Sequence, residues 1–530
     1  MKKATLASKK IAVIDFETDP FLHGRTPKPF AAGFYDGENY TQFWGDDCAQ
    51  ELIYFLDELR QPHLIYAHNG GKFDFHFLLP YFDGKVKIIN RRLVQAEIGR
   101  HTFRDSYAAI PIPLSAYAKT DIDYHKFEQE NREANKKEIG EYLKDDCVFL
   151  HQLISKFCID FNRALTIGGA SIKELIKLHE FDRANKWHDE KFREYYFGGR
   201  VQCFERGIIT GNFKMYDVNS MYPACMKNFR HPTGKKYITV KNKSIDKRGR
   251  IVGIADCEFY FAKINATVID GGLPVRQKTG LDFSVKKGIF FTTSHELKLL
   301  IKMNMIVVHE VIEAHAPFET ISFGDFVDIY SAKKIKAKKD KDKPGEIFAK
   351  LILNSSYGKF AQNPETYMDY LLVTEAPGDD WQLGAVWGDF HYLYERPAKA
   401  QAYYDVAVGA SITSAARSIL LQALLTAQRP IYCDTDSIIC EKLNSDIHDT
   451  RLGAWKFEHT LDKVAIAGKK LYAVYENGEC VKHASKGVRF TPQQILNVAN
   501  GETETWKSDA PNFSLTKPPT FIDRKIERLF

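Results

Sequence analysis

Seven acidic residues of this sequence lie in or beside short apolar segments, where folding would hold them at the edge of a core. They are Asp15, Glu17, Asp74, Asp146, Asp217, Asp434 and Asp436. Neighbouring carboxylates repel one another unless a cation lies between them, and hard divalent cations prefer oxygen ligands. The pattern predicts a fold that gathers these acids around metal ions.

Length and composition indicate a globular protein with more than one core. The chain has 530 residues, and because a typical domain has ~150 residues we expect two to four cores. Hydrophobic residues make up 44%, aromatic residues 13% and charged residues 27%. This balance excludes collagen, coiled coils and disordered chains.

The positive charge is small in total but locally concentrated. Lys and Arg number 74 against 68 Asp and Glu, a net charge of +6, which argues only weakly for an anionic partner. Residues 234–250 carry seven Lys or Arg and one Asp, and residues 331–350 carry eight Lys and three acids. Each run by itself indicates either a solvated face or a contact to nucleic acid.

The cysteine content and the apolar runs of the sequence indicate the cellular compartment in which the protein works. Nine cysteines without a Cys-x-x-Cys pair predict neither a zinc ribbon nor a disulfide framework, and they fit a reducing compartment. We find no stretch of ~18 apolar residues and expect no membrane span. The basic start is followed by only four apolar residues, too few for a signal peptide, so we expect a cytoplasmic protein.

The first acids follow predicted strands. The apolar run Ile11–Ile14 predicts a buried strand, which would put Asp15 and Glu17 on one face. Leu64–Ala67 predicts a second strand, followed by a Gly-Gly loop and a helix start that carries Asp74. An isolated Asp-x-Glu pair is more often an exposed strand end. The second segment, which adds Asp74, favours a functional site instead.

A third segment supplies a fourth acid and a phenol. Residues 138–158 are amphipathic with a helical period, which puts Tyr142 and Asp146 on one face. Four carboxylates from three elements suit two-metal hydrolysis of a phosphodiester, in which one ion generates hydroxide and the other stabilises the leaving oxygen, at roughly 3.5–4 Å separation. Tyr142 would orient the attacking water.

The later acids also follow apolar segments. A strand delivers Asp217, and Pro223 limits how the following turn continues. Arg429–Cys440 predicts a β-hairpin with Asp434 and Asp436 at its tip.

Between these segments, one predicted helix carries a polar face. Lys350, Asn354 and Tyr357 lie at i, i+4 and i+7, an arrangement that suits an anionic ligand with a ring to stack. The alternatives are a surface charge for Lys350 and a core aromatic for Tyr357. Pro344 interrupts the preceding Lys-rich helix and predicts a helical hairpin.

Together the segments resemble two sets of known motifs. DFET, NGGKFD and YLKDD match, in order, the motifs of DEDD 3′–5′ proofreading exonucleases of the Tyr subtype. DVNSMYP, KLILNSSYG and YCDTDS resemble motifs A, B and C of family B DNA polymerases. Met221 and Ser356 depart from the usual leucines and leave the functional positions intact.

Further stretches resemble the small protein-primed family B polymerases of bacteriophages and linear plasmids. FREYYFGGR matches their Tyr-x-Gly-Gly motif, AKTDIDYHK a segment before the third exonuclease motif, and KKLYAV their Lys-x-Tyr motif. The matching residues are Tyr196, Gly198, Gly199, Lys119, Tyr124, Lys470 and Tyr472.

The resemblance implies an α/β fold with an N-terminal RNase H-like exonuclease domain, followed by a right-hand polymerase with palm, fingers, thumb and two insertions. The expected limits are exonuclease 1–166, first palm segment 167–228, first insertion (terminal-protein region) 229–325, fingers 326–361, second insertion (template and strand displacement) 362–404, second palm segment 405–490 and thumb 491–530.

The resemblance also implies a role for individual residues. For the exonuclease it implies metal ligands at Asp15, Glu17, Asp74 and Asp146, catalytic support from Tyr142 and Lys119, and contacts to DNA from Thr18, His68, Asn69, Phe73, Ser106 and Tyr124. For the polymerase it implies metal ligands at Asp217, Val218 (carbonyl), Asp434 and Asp436, nucleotide contacts from Tyr222, Lys338, Lys350, Asn354 and Tyr357, and DNA contacts from Tyr196, Gly198, Gly199, Ser355, Gly358, Lys470 and Tyr472.

The implied reaction is template-directed addition of deoxynucleotides to a 3′-hydroxyl with release of pyrophosphate. The implied cofactors are two Mg²⁺ ions per active site, with Mn²⁺ as a substitute. The implied partners of a monomeric enzyme are primer-template DNA, dNTPs and a terminal protein on a separate chain, serving a viral or plasmid genome in the host cytoplasm. The alternative is a 3′–5′ exonuclease with a catalytically silent, polymerase-like DNA-binding platform, and a further one is a non-enzymatic replication scaffold; the intact acids of motifs A and C argue against both.

Overall fold

The computed structural model describes residues 5–180, 184–269, 271–278, 280–387, 391–398, 404–515 and 517–527. The N-terminal part contains β1 (Lys10–Thr18), β2 (Pro29–Tyr35), β3 (Tyr40–Trp44), α1 (Cys48–Glu58), β4 (His63–Ala67), β5 (Gly84–Ile89), β6 (Arg92–Ile98), β7 (His101–Asp105), α2 (Ser106–Ala109) and α3 (Lys136–Asp160). Short 3₁₀ helices occupy Leu6–Ser8, Gly70–Lys72, Asp74–His76, Leu79–Tyr81, Leu114–Ala116 and Tyr124–Phe127.

These strands form a mixed sheet with a helix on each face. Strands β1, β4 and β7 are parallel neighbours, and the other pairs are antiparallel. Leu143 of α3 packs with Val13 on one face, and Leu52 of α1 packs with Ile14 on the other. Because the carboxyl ends of parallel strands meet at one sheet edge, the residues that follow β1, β4 and β7 converge. The expected sheet flanked by helices is confirmed.

The middle of the chain begins with α4 (Ile167–Leu178), α5 (Lys186–Arg193), β8 (Val201–Cys203), β9 (Gly207–Val218), α6 (Met221–Asn228), β10 (His231–Lys243), β11 (Phe261–Val268), β12 (Val275–Gln277), β13 (Gly280–Asp282), β14 (Lys287–Thr293), α7 (Ser294–Lys302) and β15 (Ile306–Ile321). Strands β10, β15, β11 and β14 form a separate antiparallel sheet. This sheet lies within the range where we expect the first insertion.

The rest consists of α8 (Gly324–Lys339), α9 (Lys343–Phe360), β16 (Met368–Val373), β17 (Gln382–Trp387), β18 (His391–Pro397), α10 (Val406–Thr426), β19 (Gln428–Asp434), β20 (Ser437–Lys442), β21 (Trp455–Gly468), β22 (Leu471–Glu476), β23 (Glu479–Ser485), α11 (Pro492–Ala499), β24 (Glu504–Lys507), β25 (Asn512–Ser514), β26 (Lys517–Thr520) and β27 (Asp523–Ile526), with a 3₁₀ helix at Pro364–Thr366.

A seven-stranded antiparallel sheet carries the later acids. Its order is β23-β22-β21-β9-β20-β19-β8, which agrees with the antiparallel palm that we expected. Strand β9 lies in the middle, and its Asp217 pairs with Ser437 at the start of β20. The hairpin predicted around Asp434 and Asp436 is formed by β19 and β20.

Pro344 and Pro223 each lie in the first turn of a helix. Helices α8 and α9 form the expected hairpin, and Pro344 lies in the first turn of α9, where Asp342 caps the Gly345 N–H and no proline N–H is needed. Pro223 lies in the first turn of α6. A helix therefore begins within motif A, at Met221, where the sequence predicted a constrained turn.

The range where we expect the second insertion, residues 362–404, contains a strand that pairs with the N-terminal sheet. Strand β16 pairs with β5 and extends the N-terminal sheet to ten strands, in the order β17-β18-β16-β5-β6-β7-β4-β1-β2-β3. Leu372, Leu393 and Leu515 lie in the same apolar cluster as Ile14. The N-terminal domain thus completes its core with residues from two distant parts of the chain.

Helix α10 is the central core helix. It is long and apolar enough to cross a membrane by length and composition, and most of it is buried inside the protein. We did not predict it as an apolar stretch because Ser, Thr and Arg417 interrupt it. Such extensive burial is typical of a helix in the core of a large protein.

Candidate active sites

Four acids converge at one edge of the N-terminal sheet. Asp15 and Glu17 lie on β1, Asp74 begins a 3₁₀ helix after β4, and Asp146 lies on α3. Asp74 is 1% exposed. Its Oδ1 accepts a hydrogen bond of 3.1 Å from the Phe16 N–H, and its Oδ2 is buried without a partner among the described residues.

Burial raises the pKa of every one of these acids, and the charges of the other acids add to this effect at Asp15 and Glu17. Burial raises the pKa of Asp74 to about 7 and that of Asp146 to about 6. Burial, and then the charges of the other acids, raise the pKa values of Asp15 and Glu17 well above their usual range. The four groups therefore ionise together only when a cation offsets their repulsion.

The donor set fits divalent cations, since it consists of hard oxygen ligands and includes the unpartnered Oδ2 of Asp74. Across the described ranges, no three His, Cys, Asp or Glu side chains already form a group that could hold a metal ion. Binding a cation would bring these side chains closer together than they are in this structure.

A phenol and a lysine accompany Asp146. Tyr142 hydrogen-bonds to Asp146, and the charge of Lys119 lies near the same carboxylate; both lower its pKa. The Tyr142 hydroxyl is 3.5 Å from the Tyr124 hydroxyl, and the Lys119 Nζ is 6.0 Å from the Tyr124 ring centroid. The structure therefore brings together four residues that the sequence analysis named, Lys119, Tyr124, Tyr142 and Asp146.

Residues expected to hold a single strand surround these acids. His68 Nδ1 is 2.9 Å from the Ser106 hydroxyl, and Ser106 is fully buried. Ser106 therefore positions His68 in this structure, and its own contact to DNA stays a prediction. Asn69 adopts a left-handed conformation with φ of 64°, and Thr18 ends β1.

Arg92 is a residue that the sequence analysis missed. Its Nη1 donates to Asn69 Oδ1 at 2.7 Å and to Asp105 Oδ2 at 2.6 Å. No local pattern marks an arginine on an antiparallel strand as part of a site.

Phe73, expected to stack on a base, already has aromatic neighbours. Its ring centroid lies 5.4 Å from that of Phe21, 5.2 Å from that of Phe77 and 5.9 Å from that of Phe513 near the C-terminus. Its stacking on a base stays a prediction.

The raised pKa values predict a pH-dependent stability of the metal-free protein. Asp74 has a pKa of about 7 in the folded protein against an ordinary value of 3.8, so the folded state keeps a proton that the unfolded state releases. Stability from this group is therefore greatest at low pH and is lost as the pH rises towards 7. In EDTA, we therefore expect the Tm of Asp74→Asn minus the Tm of the wild type to increase as the pH rises from about 5 to about 8.

Scanning calorimetry at several pH values measures this difference. Added Mg²⁺ should raise the Tm of the wild type more than that of the variant. A difference in Tm that stays constant with pH in EDTA would contradict the raised pKa of Asp74.

A second group of acids lies on the seven-stranded sheet, with Asp217 on the central strand β9 and with Asp434 and Asp436 at the β19–β20 turn. The Val218 N–H donates to the Asp436 carbonyl at 2.8 Å, which joins motif A to motif C. Burial, and then the charges of Asp436 and Glu458, raise the pKa of Asp217 to about 7. Burial, and then Asp434, also raise the pKa of Asp436. This second set fits cations for the same reason as the first.

The Lys-x-Tyr residues lie against Asp434. Lys470 Nζ forms an ion pair of 2.5 Å with Asp434 Oδ1, and the Tyr432 hydroxyl donates to Oδ2 at 3.4 Å. Tyr472 is 4% exposed, with its ring 4.8 Å from that of Tyr432. The structure places Lys470 and Tyr472 near Asp434, and their contact to a primer strand stays a prediction.

Two tyrosines predicted for nucleotide binding stack on each other. The ring centroids of Tyr222 and Tyr357 are 3.8 Å apart, with 18° between the planes. Burial, then Tyr357, then Asp436 and Tyr196 raise the pKa of Tyr222 above its usual range. The stacked pair therefore lies near both the acids and the Tyr-x-Gly-Gly segment.

The remaining predicted fingers residues line α8 and α9. Lys338, Lys350, Asn354 and Gly358 are exposed and Ser355 is half-buried. The three exposed polar side chains are free to reach a ligand.

The Tyr-x-Gly-Gly segment packs against motif C. A Cβ on Gly199 would lie 2.8 Å from Thr435 Cγ2, closer than real contacts allow, so glycine is required there. Gly198 has open space beside it. Arg417 Nη1 donates to the carbonyls of Phe197 at 2.6 Å and Gly198 at 3.0 Å.

Arg417 is a second residue that sequence analysis missed. Its Nε and Nη2 donate to the two carboxylate oxygens of Glu296 at 2.7 and 2.8 Å, and both side chains are buried. The pair joins residues 121 positions apart, and the only local signal was an arginine inside an apolar helix.

Comparison with known proteins decides the family. The family model described as DNA polymerase type B, organellar and viral, matches residues 102–450. The DNA-directed DNA polymerase of Enterobacteria phage PRD1 is 48% identical over 98% of this chain and 98% of its own length. The chain belongs to the organellar and viral type B DNA polymerases. It is a DNA-directed DNA polymerase, and the resemblance inferred from its motifs is confirmed.

A second relative and a solved structure are also similar to this chain. The DNA polymerase of Bacillus phage Nf is 27% identical over 88% of this chain and 87% of its own length. The solved structure of phi29 DNA polymerase with primer-template DNA and incoming nucleotides covers 98% of this chain and 100% of that one, with a TM-score of 0.74 and 20% identity. The predicted fold class is confirmed. Polymerases of this family depend on metal ions, which agrees with the two sets of acids.

Proposed function

We propose that this polymerase also removes nucleotides from the 3′ end of DNA, with the acids of its N-terminal domain as a proofreading exonuclease. One observation carries the proposal: four carboxylates with raised pKa values converge from three elements, on a different sheet from the acids of motifs A and C. A structural role does not require four mutually repelling acids at one sheet edge.

In the proposed exonuclease site, Asp15, Glu17, Asp74 and Asp146 hold two divalent cations. When bound, the ions supply hydroxide and stabilise the leaving oxygen. Tyr142 orients the attacking water, while Lys119 limits the repulsion felt by Asp146. The strand contacts are assigned to Thr18, His68, Asn69, Phe73, Ser106 and Tyr124.

In the proposed polymerase site, Asp217, Asp434, Asp436 and the Val218 carbonyl would hold two divalent cations. When bound, such ions would lower the pKa of the primer hydroxyl and stabilise the charge of the triphosphate. The charge of Lys350 contacts phosphate. The remaining contacts are assigned to Tyr222, Tyr357, Asn354 and Lys338 for the nucleotide, and to Tyr196, Gly198, Gly199, Ser355, Gly358, Lys470 and Tyr472 for DNA.

We further propose that the enzyme is a monomer in the host cytoplasm and begins synthesis on a terminal protein supplied as a separate chain. The resemblance of the Tyr-x-Gly-Gly, Lys-x-Tyr and insertion segments to protein-primed polymerases supports this. The domain limits given above are part of the same proposal.

A recessed primer-template tests the proposal directly. With dNTPs and Mg²⁺ or Mn²⁺ the primer should lengthen, without dNTPs its 3′ end should shorten, and EDTA should stop both. Extension without any shortening would exclude the proofreading activity. Covalent transfer of a labelled dNMP to a second protein, with no DNA primer present, would support protein priming.

Sugar selection is expected to reside in Tyr222. Its ring follows Asp217 by five residues and lies on Tyr357 in a close-packed stack, so a 2′-hydroxyl would collide with a ring that cannot yield. We expect Tyr222→Val to raise ribonucleotide insertion relative to deoxynucleotide insertion by about tenfold, or about 1.4 kcal/mol of lost discrimination.

Single-nucleotide insertion with matched dNTP and rNTP on one template measures the two kcat/KM values. Tyr222→Phe is the matched control, because it keeps the ring and should keep the ratio. An unchanged ratio in a folded Tyr222→Val enzyme would show that the ring serves only the core.

A further inference from the structure

The connection between β11 and β14, residues 269–286, includes the short strands β12 and β13 and is called the 269–286 loop below; its described part contacts the neighbours of motif C on two sides. On one side its Gly271 carbonyl accepts a hydrogen bond of 2.7 Å from Arg200. On the other side its Leu281 carbonyl accepts one of 3.2 Å from Lys469, the neighbour of the lysine that pairs with Asp434. The described part of this loop therefore reaches both flanks of motif C.

Arg200 forms the closer of these two contacts. It is 3% exposed, and its guanidinium carbon lies 4.6 Å from the ring centroid of Phe283 in the same loop. Its Nε and Nη2 donate to Gln202 Oε1 at 3.1 and 2.6 Å. Only a planar guanidinium offers donors in this fork and a face for stacking.

The fit around this guanidinium is tight. A Cβ on Gly271 would lie 2.7 Å from Arg200 Nη2, and Gly271 has a φ of +73°. Burial lowers the pKa of Arg200. Burying the charge of Arg200 costs free energy, and its guanidinium is closely packed. Both observations indicate that Arg200 serves to hold its neighbours in position.

The backbone of Arg200 holds the turn that carries the acids. Its carbonyl accepts a hydrogen bond of 2.7 Å from the Thr435 N–H, and the adjacent Val201 pairs with Asp434 across β8 and β19. Thr435 has a φ of 60°, a conformation that a non-glycine residue keeps only when its surroundings impose it. Movement of Arg200 would therefore move the turn between Asp434 and Asp436.

We propose that Arg200 is a positioning residue for DNA synthesis: its side chain, clamped by Gly271 and Phe283 of the 269–286 loop, fixes through its backbone the turn of Asp434 and Asp436. The inference rests on the proposed function in one respect, namely the metal-binding role of these two acids.

The experiment compares Arg200→Met, Arg200→Lys and Gly271→Ala, which disturb the contact from both sides. Lys278→Ala removes an exposed charge of the same loop and is the matched control. Amide hydrogen exchange of the peptide that contains Thr435 reports the position of the turn without any metal. Primer extension at varied dNTP concentration gives kcat and KM.

For Arg200→Met we expect exchange at Thr435 to become about tenfold faster, and kcat to fall about tenfold with KM for dNTP changed less than about threefold. Arg200→Lys should restore only part of either value, because lysine keeps the charge and loses the fork. Lys278→Ala should match the wild type in both. A purely structural role would lower Tm without separating kcat from KM.

The outcomes separate this inference from the proposed function. Wild-type exchange and wild-type kcat in a folded Arg200→Met or Gly271→Ala would overturn the positioning role. Faster exchange with unchanged kcat would overturn the link between the turn and catalysis. Failure of the proposed metal role would show elsewhere, as full activity of Asp436→Asn.

Discussion

Replacing Asp436 with asparagine is expected to lower primer extension by about a thousandfold or more, while degradation of single-stranded DNA continues. Asp217 lies on β9 and Asp436 in the turn just before the neighbouring strand β20, and the charge of Asp436 raises the pKa of Asp217. A two-ion site that loses a bridging ligand loses the geometry of both ions. Primer extension and release of nucleotides from a labelled single strand, measured on one preparation, test this.

The matched control is Asp449→Asn, which removes the same charge at an exposed position of the same region. It should extend primers like the wild type. Substantial extension by a verified Asp436→Asn preparation would remove Asp436 from the metal site.

The double change Asp15→Ala, Glu17→Ala is expected to lower 3′–5′ degradation by about a thousandfold or more, with primer extension retained. Both residues lie on β1 of the N-terminal sheet, whereas the polymerase acids lie on a different sheet. Removing two of four mutually repelling acids also relieves the metal-free protein of repulsion, so its Tm in EDTA should not fall. Degradation assays without dNTPs and calorimetry measure the two effects.

Asp57→Ala, Glu58→Ala is the matched control, because it removes two exposed acids from α1 of the same domain. Loss of both activities in an Asp15, Glu17 variant that calorimetry shows to be folded would indicate a shared site and would refute the separation of the two activities between domains. Unchanged degradation would refute the exonuclease assignment.

Local patterns in the sequence predicted the parts of the molecule that depend on neighbouring residues. The runs before Asp15 and Asp217 predicted strands, the 138–158 pattern predicted a helix, and Pro344 predicted the α8–α9 hairpin; the structure has all of them. These features follow from side-chain periodicity and from the missing proline N–H. Pro223 shows the limit of this reasoning, because the same missing N–H is compatible with the first turn of a helix.

Contacts between distant segments were decided only by the tertiary structure. The pairing of β16 with β5, the buried Arg417–Glu296 pair and the contact of Arg200 with Gly271 join residues far apart in the chain. No periodicity or turn signal marks such partners, because each depends on which surfaces meet when separate elements pack. The ion pair of Lys470 with Asp434 is of the same kind. The sequence by itself therefore determined which residues are candidates for the chemistry and on which elements they lie, and the packing of those elements decided what holds them in place.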